Sequence, residues 1–176
     1  MFMLKQLAIS LSVLSVSAAA AQTAPKFGQL IAPSDIAPWD ISILPDGAGL
    51  PPGRGTATQG GIVYAAKCQA CHGEKGSGGP NDRLVGGIGS LAPDKGPPVR
   101  TVGSYWPYAT TFFDYVRRAM PFQETKTLSS DELYALTAYI LHMNGIIGEN
   151  DTMDSETLPK VKMPNRDGFV AFPRDR

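Results

Sequence analysis

Apolar positions recur at helical spacing in three stretches of this chain, and the segments between them keep no period. The clearest stretch holds Leu133, Leu136 and Ile140, three and four apart, which places them on one stripe of a helix. Its start is marked by Ser129 and Glu132, a capping box, with Leu128 placed to staple onto Leu133. Asn144-Gly145 supplies the stop. A second helix is predicted over about 110–119, its apolar faces built from Phe112, Phe113, Val116 and Ala119. It ends near Met120, because Pro121 cannot continue it and biases the residue before it out of helical geometry. A first helix is expected to start at Thr58 as N-cap and run through Gly60, Gly61, Tyr64 and Ala65 to Cys68. Residues 73–107 are rich in glycine and proline and follow neither period. A loop of that length inside a small domain needs something to fold on.

The flanks change the picture from a bare bundle to a helical domain with arms. Residues 22–57 are punctuated by Pro33, Pro38, Pro45, Pro51 and Pro52 and read as an irregular N-terminal arm. Residues 146–176, with Pro159, Pro164 and Pro173, read as an irregular C-terminal arm, leaving 58–145 as the helical domain. Residues 1–21 combine Lys5, an apolar stretch from Leu7 to Val16 and the small residues Ala19-Ala20-Ala21. This is the pattern of a signal peptide cleaved before Gln22, and the apolar run is short for a membrane anchor. An exported chain in the periplasm is expected, with no membrane span.

Sixteen basic and sixteen acidic residues balance, so nothing suggests a nucleic-acid surface. The length suits one domain around one core. With 19 glycines and 15 prolines, that core is poorly supported by regular structure, and a large planar cofactor would supply the missing apolar interior.

Cys68-Gln69-Ala70-Cys71-His72 names the cofactor. C-x-x-C-H is the attachment site of c-type haem, and it uses both cysteines of the chain. One helical turn would hold the two sulfurs at one porphyrin edge and bring His72 to the iron. One such motif implies one covalently bound haem c. A thioether as sixth ligand would raise the reduction potential. Met120 is the first candidate, because it ends the second helix and Pro121 restrains its backbone. Met163, before Pro164 in the C-terminal arm, is the rival. Met143 reads as helix packing, and Met153 has no supporting context.

A ligating imidazole donates its second N–H to a fixed acceptor, and the Pro80 carbonyl is the candidate here. Leu84 could pack on the haem face, and Arg100, Tyr105 and Trp106 are candidates for the propionates or ordinary surface and core residues. His142 reads as a helix-end histidine facing solvent. Other chemistries use the same residue types. A haem enzyme acting on sulfur would want an open sixth position. A redox dithiol would need a βαβ pattern around the cysteines. A zinc site would need a fourth ligand, for which His142 is distant.

Gly60-Gly61, Tyr64, the C-x-x-C-H, Gly79-Pro80, Met120-Pro121 and Tyr139 together resemble the class I cytochrome c pattern. The resemblance implies an all-α fold of three to four helices around one haem, the first and last crossing near Gly61 and Tyr139. Three longer stretches are similar to the SoxD-type cytochrome subunit of sulfane dehydrogenase. They run from Trp39 to Gly53, from Thr101 to Thr110, and from Arg118 to Leu141, with Glu156–Pro159 and Met163–Asn165 also matching. The run Thr101-Val102-Gly103-Ser104-Tyr105-Trp106-Pro107-Tyr108 is far more distinctive than C-x-x-C-H alone.

That family implies an electron-transfer subunit serving a molybdenum-containing sulfur dehydrogenase, which performs the substrate chemistry. Many such chains continue into a second haem domain. With one motif here, the electron is expected to leave through the same haem to a downstream cytochrome or other acceptor. A sulfite dehydrogenase subunit and a stand-alone carrier are the alternatives. The arms are expected either to dock the partner or to wrap the core.

Overall fold

The computed structural model describes residues 28–170, so the expected signal peptide and Pro173 lie outside the described residues. In chain order the elements are α1 (Pro33–Ile36), β1 (Arg54–Thr56), α2 (Ala57–Lys67), α3 (Gln69–His72), α4 (Val102–Tyr105), α5 (Ala109–Ala119), α6 (Ser130–Met143) and β2 (Thr152–Asp154). The three long helices are those the apolar spacing predicts, and the fold is the mostly helical class I cytochrome c type. Thr56, not Thr58, caps α2. The Thr56 hydroxyl accepts from the Gln59 N–H at 3.4 Å while the Gln59 side chain accepts from the Thr56 N–H at 2.9 Å. Thr58 has Gly61 three residues on and so lacks a reciprocal partner. At α6 the expected box forms: Glu132 accepts from the Ser129 N–H at 2.8 Å, and Gly145 leaves the helix with φ of 70°.

Helices α2 and α6 cross where small residues allow backbone contact. An added Cβ on Gly60 would come within 2.5 Å of the Ala135 carbonyl carbon and 2.7 Å of Tyr139 Cβ. Gly61 faces the Tyr139 ring, and the Tyr64 and Tyr139 rings stack at 5.1 Å. Beyond the crossing, Lys67 and Glu132 pair at 2.8 Å. The core is centred on α6, whose Leu133, Tyr134, Leu136, Ile140 and Leu141 are buried against Tyr64 of α2 and Phe112, Phe113 and Val116 of α5. Phe113 and Tyr134 lie ring to ring at 4.6 Å.

Two strands were not legible in the proline-rich flanks. β1 and β2 pair antiparallel, with Gly55 opposite Met153. Gly55 lies so close to Ala135 that a Cβ would approach its Cα to 2.5 Å, so the ladder lies flat on α6. Farther along the C-terminal segment, Leu158, Val161 and Met163 are buried in the core. Residues 28–40, by contrast, are exposed throughout.

Candidate functional site

The C-x-x-C-H sequence begins as α2 ends. Cys68 closes α2 by donating its N–H to the Tyr64 carbonyl at 2.9 Å, with φ of −126° breaking the helical run. Residues Gln69–His72 then form the single turn α3, in which Cys71 and His72 both donate to the Cys68 carbonyl, at 3.1 and 3.0 Å. Both thiols are free; Cys71 is exposed and Cys68 half-buried against the core. Burial pushes the Cys68 thiol up to about 11, with Lys67 acting the other way. Gly73 ends the turn at φ of 76°, where a Cβ would also strike the Gly78 carbonyl carbon at 2.7 Å. Tyr64 Oη donates to the Gly73 carbonyl at 2.7 Å, pinning this exit to α2.

From there the chain folds back over its own turn. Gly78 donates to the His72 carbonyl at 2.8 Å and Asn81 to the Cys71 carbonyl at 2.9 Å. His72 Nδ1 lies 2.8 Å from the Asp82 carbonyl oxygen. That bond makes Nδ1 the donor and leaves Nε2 as the lone-pair nitrogen for a metal. The acceptor is therefore Asp82 and not Pro80. Asn81, whose amide is tied to Cys71, carries the chain past the ring before a carbonyl points back at it. Leu84 is half-buried at the edge of the core, with its N–H on the Gly76 carbonyl at 2.9 Å.

Met120 stands at the end of α5 in extended geometry (φ −127°, ψ 148°), half-buried at the core edge. Its rival Met163 is only 3% exposed and enclosed in the core, as is Met153 at 4%, so both read as packing. Trp106 is half-buried, edge-on to Phe112 and Tyr115 at 5.9 and 5.5 Å. Tyr105 turns toward the C-terminal segment. It meets Phe169 at 5.3 Å, its carbonyl accepts from Asn165 Nδ2 at 2.7 Å, and Arg100 lies over its ring at 5.6 Å. Tyr105 thus also lines a groove of about 370 Å³ between the 89–92 loop and residues 164–169. His142 does not simply face water: it is half-buried, with Nδ1 3.3 Å from the Ile147 carbonyl.

The donor set fits a c-type haem. Two unpaired thiols and an imidazole with one nitrogen committed share one helical turn, and a half-exposed thioether ends α5. Sequence reasoning missed Asp82, Thr101 and Asn144. Thr101 caps α4 through a box with Ser104 and also donates to the Gly86 carbonyl at 2.6 Å. A threonine with serine three residues on was the available signal.

The family described as cytochrome c oxidase, cbb3-type, subunit III matches residues 55–140, which span α2 to most of α6. Among solved structures, the chain is similar to one in the crystal structure of the sulfane dehydrogenase SoxCD from Paracoccus pantotrophus. The two share 41% identity, with 86% of this chain and 74% of that one covered, at a TM-score of 0.77. No curated protein matches significantly.

Proposed function

The chain belongs to the c-type cytochromes related to the SoxCD sulfane dehydrogenase, and from that premise we propose that it is a periplasmic, mono-haem electron acceptor for a molybdenum-containing sulfur dehydrogenase. The observation that carries the proposal is the α3 turn. It brings Cys68, Cys71 and a His72 whose Nδ1 is held by Asp82 into one turn, in a chain 41% identical to one of the sulfane dehydrogenase SoxCD.

Haem bound here would supply one-electron exchange between ferric and ferrous iron. Cys68 and Cys71 would hold it by two thioethers. His72 would ligate through Nε2 while Asp82 fixes its tautomer and ring plane, and Met120 would close the sixth position. Leu84 and Trp106, half-buried at the core edge, would offer apolar surface to the haem, and Arg100 and Tyr105 are the propionate candidates. Residues 1–21 would direct export and be cleaved before Gln22.

The two arms divide the work. The C-terminal segment from β2 to Met163 buries Met153, Leu158, Val161 and Met163 and so stabilises the core. The N-terminal segment presents Leu30, Ile31, Ile36 and Trp39 to solvent, Trp39 at 85% exposure. It is moored by Arg117 and Arg118, which donate to the Ile41 carbonyl at 3.3 and 2.9 Å from the last turn of α5, just before Met120. A partner seated on residues 28–40 would therefore sit beside the distal ligand, where a short transfer distance is needed.

The test is purification from cells that mature c-type cytochromes, followed by a reduced-minus-oxidised spectrum and identification of co-purifying protein. A c-type spectrum with a molybdoprotein partner is expected. A c-type spectrum without one would favour a free carrier, and no haem would overturn the reading.

A further inference from the structure

Asn144 ends α6, and from the sequence it is only a helix stop. In the structure it is buried, at 8% exposure, and its side-chain amide makes three hydrogen bonds. Oδ1 accepts from the Gly86 N–H at 3.0 Å, and Nδ2 donates to the Leu84 carbonyl at 3.3 Å and the Ile140 carbonyl at 2.9 Å. Leu84 and Gly86 are two apart, so the side chain pairs with the loop as a residue of a neighbouring strand would. A flipped amide would set donors against a donor and an oxygen against two carbonyls, so this network fixes its orientation.

Gly103 of α4 shows that the fit is tight. Its φ is not in the left-handed region, so backbone conformation does not require glycine. A Cβ there would instead meet Asn144 Oδ1 and come within 2.6 Å of its Cγ. The space is kept for the amide.

The held backbone leads directly to His72. Leu84 follows two residues after Asp82, whose carbonyl takes the His72 ring at 2.8 Å. The Asp82 carbonyl is positioned from both sides: Asn81 is tied to Cys71 on one, and Leu84–Gly86 is held by Gly76, Val102, Thr101 and the Asn144 side chain on the other. We propose that Asn144 is a positioning residue for the proximal histidine, holding the Leu84–Gly86 backbone so that the Asp82 carbonyl stays on His72 Nδ1. This rests on the haem-carrier reading. Through that bond the imidazole keeps its ring plane and its strength as a donor to the iron.

Asn144→Leu keeps the volume and removes all three bonds. In the haem-loaded, reduced protein, NMR should show His72 Nδ1–H exchanging with solvent faster by about tenfold or more. The reduction potential should shift upward as the imidazole donates less, while amide protection in α2 and α6 stays at the wild-type level. Gly103→Ala, which displaces the amide without removing it, should move both readouts the same way. Asn144→Asp, which keeps the acceptor for Gly86 but sets an oxygen against the Leu84 and Ile140 carbonyls, should also speed the ring-proton exchange. If Asn144→Leu does not fold, the other two variants decide.

Wild-type ring-proton exchange and potential in the folded variants would overturn the proposal, even if stability fell. A wild-type protein lacking a c-type spectrum would sink the haem reading and this inference with it. A normal wild-type spectrum with unresponsive variants would sink this inference alone.

Discussion

Met120 and Met163 are both followed by proline, and the fold places them in different surroundings. Met163 is sealed in the core, while Met120 stands half-exposed where α5 ends. Met120→Ala should therefore abolish the methionine-to-iron charge-transfer band. It should also lower the reduction potential by on the order of 0.1 V or more, a fraction of the range axial ligands command. Met163→Ala should leave both unchanged and cost about 2–5 kcal/mol of stability, because it opens a cavity. Spectroelectrochemistry and thermal melts on the two variants separate the roles. The turn that holds Cys68, Cys71 and His72 was legible because the motif is local, spanning about one helical turn. The acceptor for His72 was placed two residues early, at Pro80. Which carbonyl of a turning loop faces a ring depends on the path of that loop, and local residue types do not encode it.

At the scale of elements, the long helices were legible from spacing and caps, since both depend on neighbours within one or two turns. The N-cap of α2 was misplaced by two residues because Thr56 and Thr58 both qualify, and only the Gln59 partner distinguishes them. The Lys67–Glu132 pair joins α2 and α6 just before the C-x-x-C-H turn. The Lys67 ammonium, and then the Ser129 N–H, hold the Glu132 carboxyl below its ordinary value of 4.5. A depressed carboxylate stabilises the fold above its unfolded pKa and loses that contribution as pH falls through the folded one. Glu132→Gln should thus cost about 0.5–1 kcal/mol at neutral pH, as half-exposed pairs do. That deficit should begin to shrink below about pH 4.5 and vanish at lower pH. Thermal melts of both proteins from pH 7 to 3 would show whether the curves converge.

For the whole molecule, the arms behave differently from each other. The C-terminal arm is pulled into the core by β2, Leu158, Val161 and Met163, while residues 28–40 stay outside, moored by Arg117 and Arg118. Trp39→Ala should change stability by less than about 0.5 kcal/mol, because the ring covers nothing within the chain. Affinity for the molybdenum subunit should fall about tenfold or more, as expected of an interface tryptophan. Melts paired with surface binding measurements would test this, and undiminished affinity would remove the arm from the interface. By itself the sequence determined the C-x-x-C-H turn, the three long helices and the family likeness, because each is written in residues close together along the chain. The tertiary structure decided that β1 and β2 pair, that Met163 is core and Met120 is not, and that Asn144 reaches the loop leading to His72. These are contacts between residues far apart in the chain, so they come into existence only when packing brings α6, the loop and the flanks together.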